Sequence, residues 1–134
     1  MPLVHLVIAL ALLEFCLFGW AVARARARYK VAAPATTGHE VFERYYRVQM
    51  NTLEQLVVFI PSIVLFGQYL SAYLAAALGV LFIIGRAVYF RGYVKSAQAR
   101  HVGFLLGAFP SMVLLVGGLI GALRAALIVL AVKP

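Results

Sequence analysis

The sequence predicts an all-α integral membrane protein, a bundle of four transmembrane helices. Of its 134 residues, 65% are hydrophobic and only 12% are charged, too few charges to cover a soluble domain of this length. Four stretches, 3–23, 50–70, 72–90 and 102–123, each supply the roughly 20 mostly apolar residues that a helix needs to cross a bilayer. The charges gather between these stretches and at their ends. One domain over 1–134 is expected, with helices at about 3–29, 42–70, 72–100 and 102–131.

The first stretch has the length of a secretory signal. However, it lacks a basic lead-in, carries Glu14 and runs into an arginine cluster rather than a small-residue cleavage site, so it is read as a helix. Cys16, the single cysteine, lies among Phe15, Leu17 and Phe18. Alone it forms no intrachain disulfide, and a small buried hydrophobe is the expected role. The connection "RARARYKVAAPATTGHEVFERYY" is the longest polar piece. Pro34 and Gly38 interrupt any helix there, and Thr36, Thr37 and Gly38 read as a turn.

The second helix holds Pro61 in its interior, where the missing N–H should bend it. Gly67 and Ser71 mark a tight hairpin into the third helix. That helix is expected to overshoot the membrane, because "RAVYFRGYVKSAQARH", residues 86–101, suits a helix without being apolar throughout. Gly103, Gly107 and Pro110 open the fourth. Its Gly117 and Gly121, four residues apart, allow close approach of another helix.

A net charge of +8 invites a nucleic-acid reading, but its placement argues for a membrane. Ten of the 12 basic residues surround the first and third connections or the helix ends entering them, and the second connection has none. In a four-helix chain those two connections share a side, which the positive-inside rule makes cytoplasmic. Topology and lipid headgroups account for most of the charge, and no nucleic-acid partner is expected. They leave Arg47, Arg86 and Arg100, which fall within helical patterns. His5, His39 and His101 have no ligand spacing, so no metal is expected.

Arg47, Asn51 and Glu54 are spaced four and three apart, and so share one helix face. Glu43 extends that stripe outward by one turn. An ionised group at membrane depth costs about 2.5–3.5 kcal/mol on insertion scales, so such groups face the bundle interior and pair. Taken alone, the stripe fits either an internal Arg47–Glu54 tie bridged by Asn51 or a ligand site. On the third helix, Tyr89, Tyr93 and Arg100 are spaced by four and seven, with Arg86 one turn below Tyr89. Two carboxylates, Glu43 and Glu54, stand among more cations than they can neutralise. Arginine forks bind carboxylates, and Glu54 could take an ammonium. A small zwitterion with extra carboxylates would satisfy the set.

Two segments carry a family resemblance. One is "FERYYRVQMNTLEQ", residues 42–55, and the other is residues 85–100, Gly85 followed by "RAVYFRGYVKSAQAR". They resemble the signatures of the MAPEG family, the membrane-associated proteins in eicosanoid and glutathione metabolism, and above all its glutathione-transferase branch. "TTG" at 36–38 fits as well. The resemblance covers about 26–100 and implies a homotrimer of four-helix subunits, with bent glutathione held between neighbours as cosubstrate. Position by position, it implies that Arg47, Asn51 and Glu54 hold the tripeptide's charged ends and backbone. Tyr89 and Tyr93 would line the site, Arg26 would reach a glutathione carboxylate, and Gln49 would come from the adjacent subunit. Arg100 is implied to ionise the thiol.

There are departures. Gln55 stands where leukotriene-forming members have a tyrosine, Ala27 replaces the second arginine of an adjacent pair, and Arg91 replaces an uncharged residue. These bear on the acceptor, not on glutathione. The expected activity is transfer of glutathione to lipophilic electrophiles, with glutathione-dependent reduction of lipid hydroperoxides as a second possibility. Two other classes remain open: a non-catalytic lipid-binding scaffold of the same family, and a small four-helix exporter using Glu14.

Overall fold

The computed structural model describes residues 1–132. It contains four long helices: α1, Pro2–Arg28; α2, Glu40–Tyr69; α3, Ala72–Lys95; and α4, His101–Val132. All four are long and apolar enough to cross a membrane. Local chemistry sets most of their ends. Pro2 opens α1, where its missing N–H costs nothing. Beyond Arg28 the chain closes with Lys30 N–H to Ala27 O and Val31 N–H to Arg26 O, with Lys30 in the left-handed region at φ 55°. His39 caps α2, its Nδ1 accepting from Val41 N–H at 3.2 Å. Ser71 caps α3 by accepting from Leu74 N–H at 3.3 Å.

Helices α2 and α3 form the middle of the bundle, since both pack against each other and against α1 and α4. At one end the core is apolar, with Val4, Val7, Ala11, Ile63 and Leu114 around Phe59 and Phe82, whose rings stack at 3.9 Å. The outward faces are apolar too, with Leu6, Leu13 and Leu17 of α1 and Leu119, Leu127 and Leu130 of α4 exposed. Such a surface is suited to lipid. Cys16 lies on this outward side, not inside as the sequence suggested, because Ala11, Phe18 and Val22 take the inward positions of α1. Without a hydrophobic drive between helices in lipid, close approach depends on small residues. A methyl group at Gly85 would lie 2.5 Å from the amide nitrogen of Gly107. The Gly117 and Gly121 pair also behaves as its spacing predicts, packing against Phe66, Tyr69 and Leu70.

The third helix departs from expectation. It ends at Lys95, about a turn short of Arg100, and residues Ala97–Arg100 form a separate 3₁₀ turn. The cause is Ser96. Its backbone is extended (φ −156°, ψ 146°) and its hydroxyl accepts from Ala99 N–H at 3.3 Å, so the serine starts a new turn instead of continuing the old one. The turn folds back on α3, where only a glycine at position 92 leaves room for the carbonyl of Ala99. Arg100 is therefore carried by the junction of α3 and α4, not by a continuous third helix.

Candidate functional site

The polar face of α2 and the end of α3 meet in a cleft of about 540 Å³, lined by Arg47, Asn51, Glu54, Tyr89, Tyr93, Arg100, His101 and Phe104. Six of these are site residues expected from the sequence. The i, i+4, i+7 spacing puts the α2 trio on one face, as a helix must. Within it, Asn51 Nδ2 donates to Glu54 Oε2 at 3.3 Å. Arg47 makes no ion pair with Glu54, and the ion pair found among the described residues is Arg44–Glu40 at 2.6 Å. Of the two readings that the spacing left open, the internal Arg47–Glu54 tie is therefore not formed. Glu54 keeps an exposed carboxylate turned to the cleft, beside Arg47 and Arg100.

The tyrosines form the floor. Their rings stack at 5.6 Å with 18° between planes. The Arg100 guanidinium lies 5.4 Å from the centre of the Tyr93 ring, a cation–π distance. Tyr89 is buried, held from behind by α4, because Gly103 sits directly against its backbone. A methyl group there would overlap Tyr89, so Gly103→Ala should push α4 away from the floor of the cleft. Overpacking of this kind costs about 1–3 kcal/mol. We expect a lower melting temperature together with a distorted, weaker site, measured by thermal unfolding with and without ligand.

Two expected residues lie elsewhere. Arg26 points at the first connection, donating from Nη1 to the carbonyls of Val31, Ala32 and Ala35 at 3.4, 3.3 and 2.7 Å, with its guanidinium over Phe42 at 4.6 Å. Gln49 lies two residues from the Arg47 register and faces α1, where its amide packs on Gly19. Neither lines the cleft of its own chain. Glu43 leaves the stripe as well, accepting from Gly38 N–H at 2.9 Å, and so braces the turn before α2. That turn needs glycine, since Gly38 has φ 132°.

His101 and Phe104 line the cleft but were absent from the expected set. They are the first and fourth residues of α4, and their membership depends on the chain break at Ser96. A histidine directly after Arg100 was the one available sign. The cleft thus offers two guanidinium groups and a histidine against one carboxylate, above an aromatic floor and beside the apolar outward face of α4. It can hold a polar molecule that carries more carboxylates than ammonium groups.

The model of the MAPEG family matches residues 3–120. The chain is 48% identical over 118 residues to an uncharacterized protein of Synechocystis, a match covering 88% of this chain and 86% of that protein. It is 44% identical over 104 residues to microsomal glutathione S-transferase 2 of Mus musculus, covering 75% and 71%. With leukotriene C4 synthase of Cavia porcellus the identity is 37% over 119 residues, covering 83% and 79%.

Proposed function

The chain belongs to the MAPEG family, and from that premise we propose that it is a membrane-bound glutathione transferase that ionises the glutathione thiol in the α2–α3 cleft. The observation that carries this is the grouping of Arg47, Asn51, Glu54, Tyr89, Tyr93 and Arg100 around one cavity with surplus positive charge. In this reading Glu54 takes the ammonium of the γ-glutamyl end, and Arg47 takes a carboxylate. Asn51 serves the peptide backbone and the tyrosines pack along the chain. Glutathione carries two carboxylates and one ammonium, so the balance of the cleft suits it.

A free thiol has a pKa of about 8.5, so only a few per cent is thiolate at neutral pH. A guanidinium at the sulfur stabilises the anion without acting as a base. Arg100 is assigned that role. The thiolate sulfur then bonds to an electrophilic carbon, and the leaving group departs with the displaced electron pair. With a lipid hydroperoxide, two glutathiones would be oxidised to the disulfide while the peroxide is reduced to alcohol and water. Such acceptors reach the cleft from the lipid, along an outward face where Val102, Phe104 and Leu105 are exposed.

The assembly is proposed from the family resemblance, and Arg26 and Gln49 bear on it. Both lie away from their own chain's cleft, so they would join a site only from a neighbouring copy, and a homotrimer with glutathione at each interface meets that need. The basic first and third connections would face the cytoplasm. An exporter coupled through Glu14 would not require the arginines gathered in the cleft at the ends of α2 and α3. The presence of Arg100 in the cleft favours an enzyme over a scaffold.

The test is purified protein in mild detergent with glutathione and a chlorinated nitroaromatic acceptor, followed by absorbance. Glutathione-dependent conjugation is the expected result, with native mass measurement showing three subunits. A chain that binds glutathione normally as a stable monomer would overturn the shared site. Glutathione binding without conjugation or peroxide reduction would favour the scaffold.

A further inference from the structure

Three polar residues below the cleft take no part in the chemistry just described. Arg86 of α3 is 0% exposed, in the middle of a bundle whose core is mostly apolar. Its Nη2 donates to Thr52 Oγ1 of α2 at 2.7 Å, and that hydroxyl donates in turn to Val48 O at 2.7 Å. Its Nε and Nη1 are buried without a partner, as is Oε2 of Glu14 on α1. Among the described residues, Glu14 and Arg86 do not close into an ion pair. Replacing a buried charge pair by apolar side chains of similar volume is often neutral or stabilising. Holding three helices together is therefore a weak reason for this arrangement.

A better reason lies above Arg86. Its guanidinium carbon is 4.2 Å from the centre of the Tyr89 ring. Tyr89 stacks on Tyr93, and Arg100 lies over Tyr93. The sequence cation, ring, ring, cation runs from the buried interior to the cleft, with a desolvated guanidinium at its base where attraction to a ring face is strongest. Thr52 fixes one edge of that base, and α1 turns the buried carboxylate oxygen of Glu14 inward. The geometry points to Glu14 and Arg86 as positioning residues: they set the stacked Tyr89–Tyr93 pair and through it the reach of Arg100 towards the ligand's thiol. This rests on the proposed glutathione site and adds two residues that touch no ligand.

The test separates positioning from simple bundle stability. In the double variant Glu14→Leu, Arg86→Met both charges are removed together, so the fold should survive and melt close to wild type. Glutathione affinity should change by less than about threefold, because Arg47, Asn51 and Glu54 are untouched. Thiolate absorbance of bound glutathione and kcat should both fall by about tenfold, with KM for glutathione nearly unchanged. Wild-type thiolate absorbance and kcat in a folded double variant would overturn the proposal.

If that variant does not fold, Arg86→Lys decides. An ammonium keeps the charge over the ring but loses the planar fork, so kcat should fall by several-fold while binding holds. An unchanged kcat with normal melting would overturn the proposal. The underlying site is judged separately, on wild type alone. If glutathione neither raises the wild-type melting temperature nor shows thiolate absorbance, both readings fall.

Discussion

Arg100→Ala is expected to leave a protein that binds glutathione but barely uses it. The carboxylate and ammonium contacts assigned to Arg47 and Glu54 lie on α2, so the tripeptide should still dock. What disappears is the cation beside the sulfur. The bound thiol then titrates near its free value, and its ultraviolet thiolate absorbance fades at neutral pH. Turnover should fall with it by about one to three orders of magnitude, at roughly 1.4 kcal/mol per tenfold. An arginine serving only lipid headgroups or topology would behave differently, since its loss would leave both readings intact. Arg100 is exposed and touches Tyr93 of the cleft, so its removal should cost little stability. Unchanged thiolate absorbance and turnover would refute the assignment.

Glu54→Gln should act on binding, not on chemistry. The carboxylate is exposed, hydrogen-bonded to Asn51 and free of Arg47. Removing its charge leaves no buried cation stranded, so the melting temperature of the unliganded protein should hardly move. A charge-assisted hydrogen bond contributes about 1.5–3 kcal/mol, so glutathione affinity should drop by roughly ten- to a hundredfold. The stabilisation that saturating glutathione gives the wild type should shrink accordingly. The opposite pattern, a lower melting point that glutathione fully restores, would mean that Glu54 only neutralises its neighbours. Melting curves with and without glutathione separate the two.

The helices were legible because a bilayer imposes a length and a composition on anything that crosses it, and residues 3–23 or 102–123 meet both without help from neighbours. The α2 trio and the tyrosines were legible for a related reason: a helix face repeats every three or four residues, so Arg47, Asn51 and Glu54 announce each other. The end of α3 was not. Lys95 to Arg100 would all tolerate a helix, and the outcome turned on Ser96 bonding to Ala99 while Gly92 gave the turn somewhere to rest. His101 and Phe104 were missed with it, because they belong to a different helix whose phase is reset at the break. Arg86 was visible as an odd charge, but its partners were not. Thr52 lies 34 residues away in sequence and Glu14 still further, and helical periodicity does not say which neighbour a buried side chain will meet. Arg26 and Gln49 were named through resemblance alone, and one chain by itself does not bring them to the cleft.

The four-residue turn that carries Arg100 also affects how freely the protein can change over evolutionary time. A thiol-activating group, the role proposed for Arg100, would inherit every insertion, deletion or shift of register if it were fixed to a continuous helix. Here the group is referenced to a local knot instead: the Ser96 hydroxyl, the Ala99 amide and the bare backbone of Gly92. Helix α4 beyond it can lengthen, tilt or exchange its lipid-facing side chains without displacing Arg100, provided the knot and the Gly103 contact persist. Under the proposed function, that uncouples the surface facing the acceptor from the machinery facing glutathione. If the proposed activity holds, a lineage could therefore alter the lipophilic molecules it conjugates by mutating the outward face of α4 while leaving the thiol chemistry unchanged.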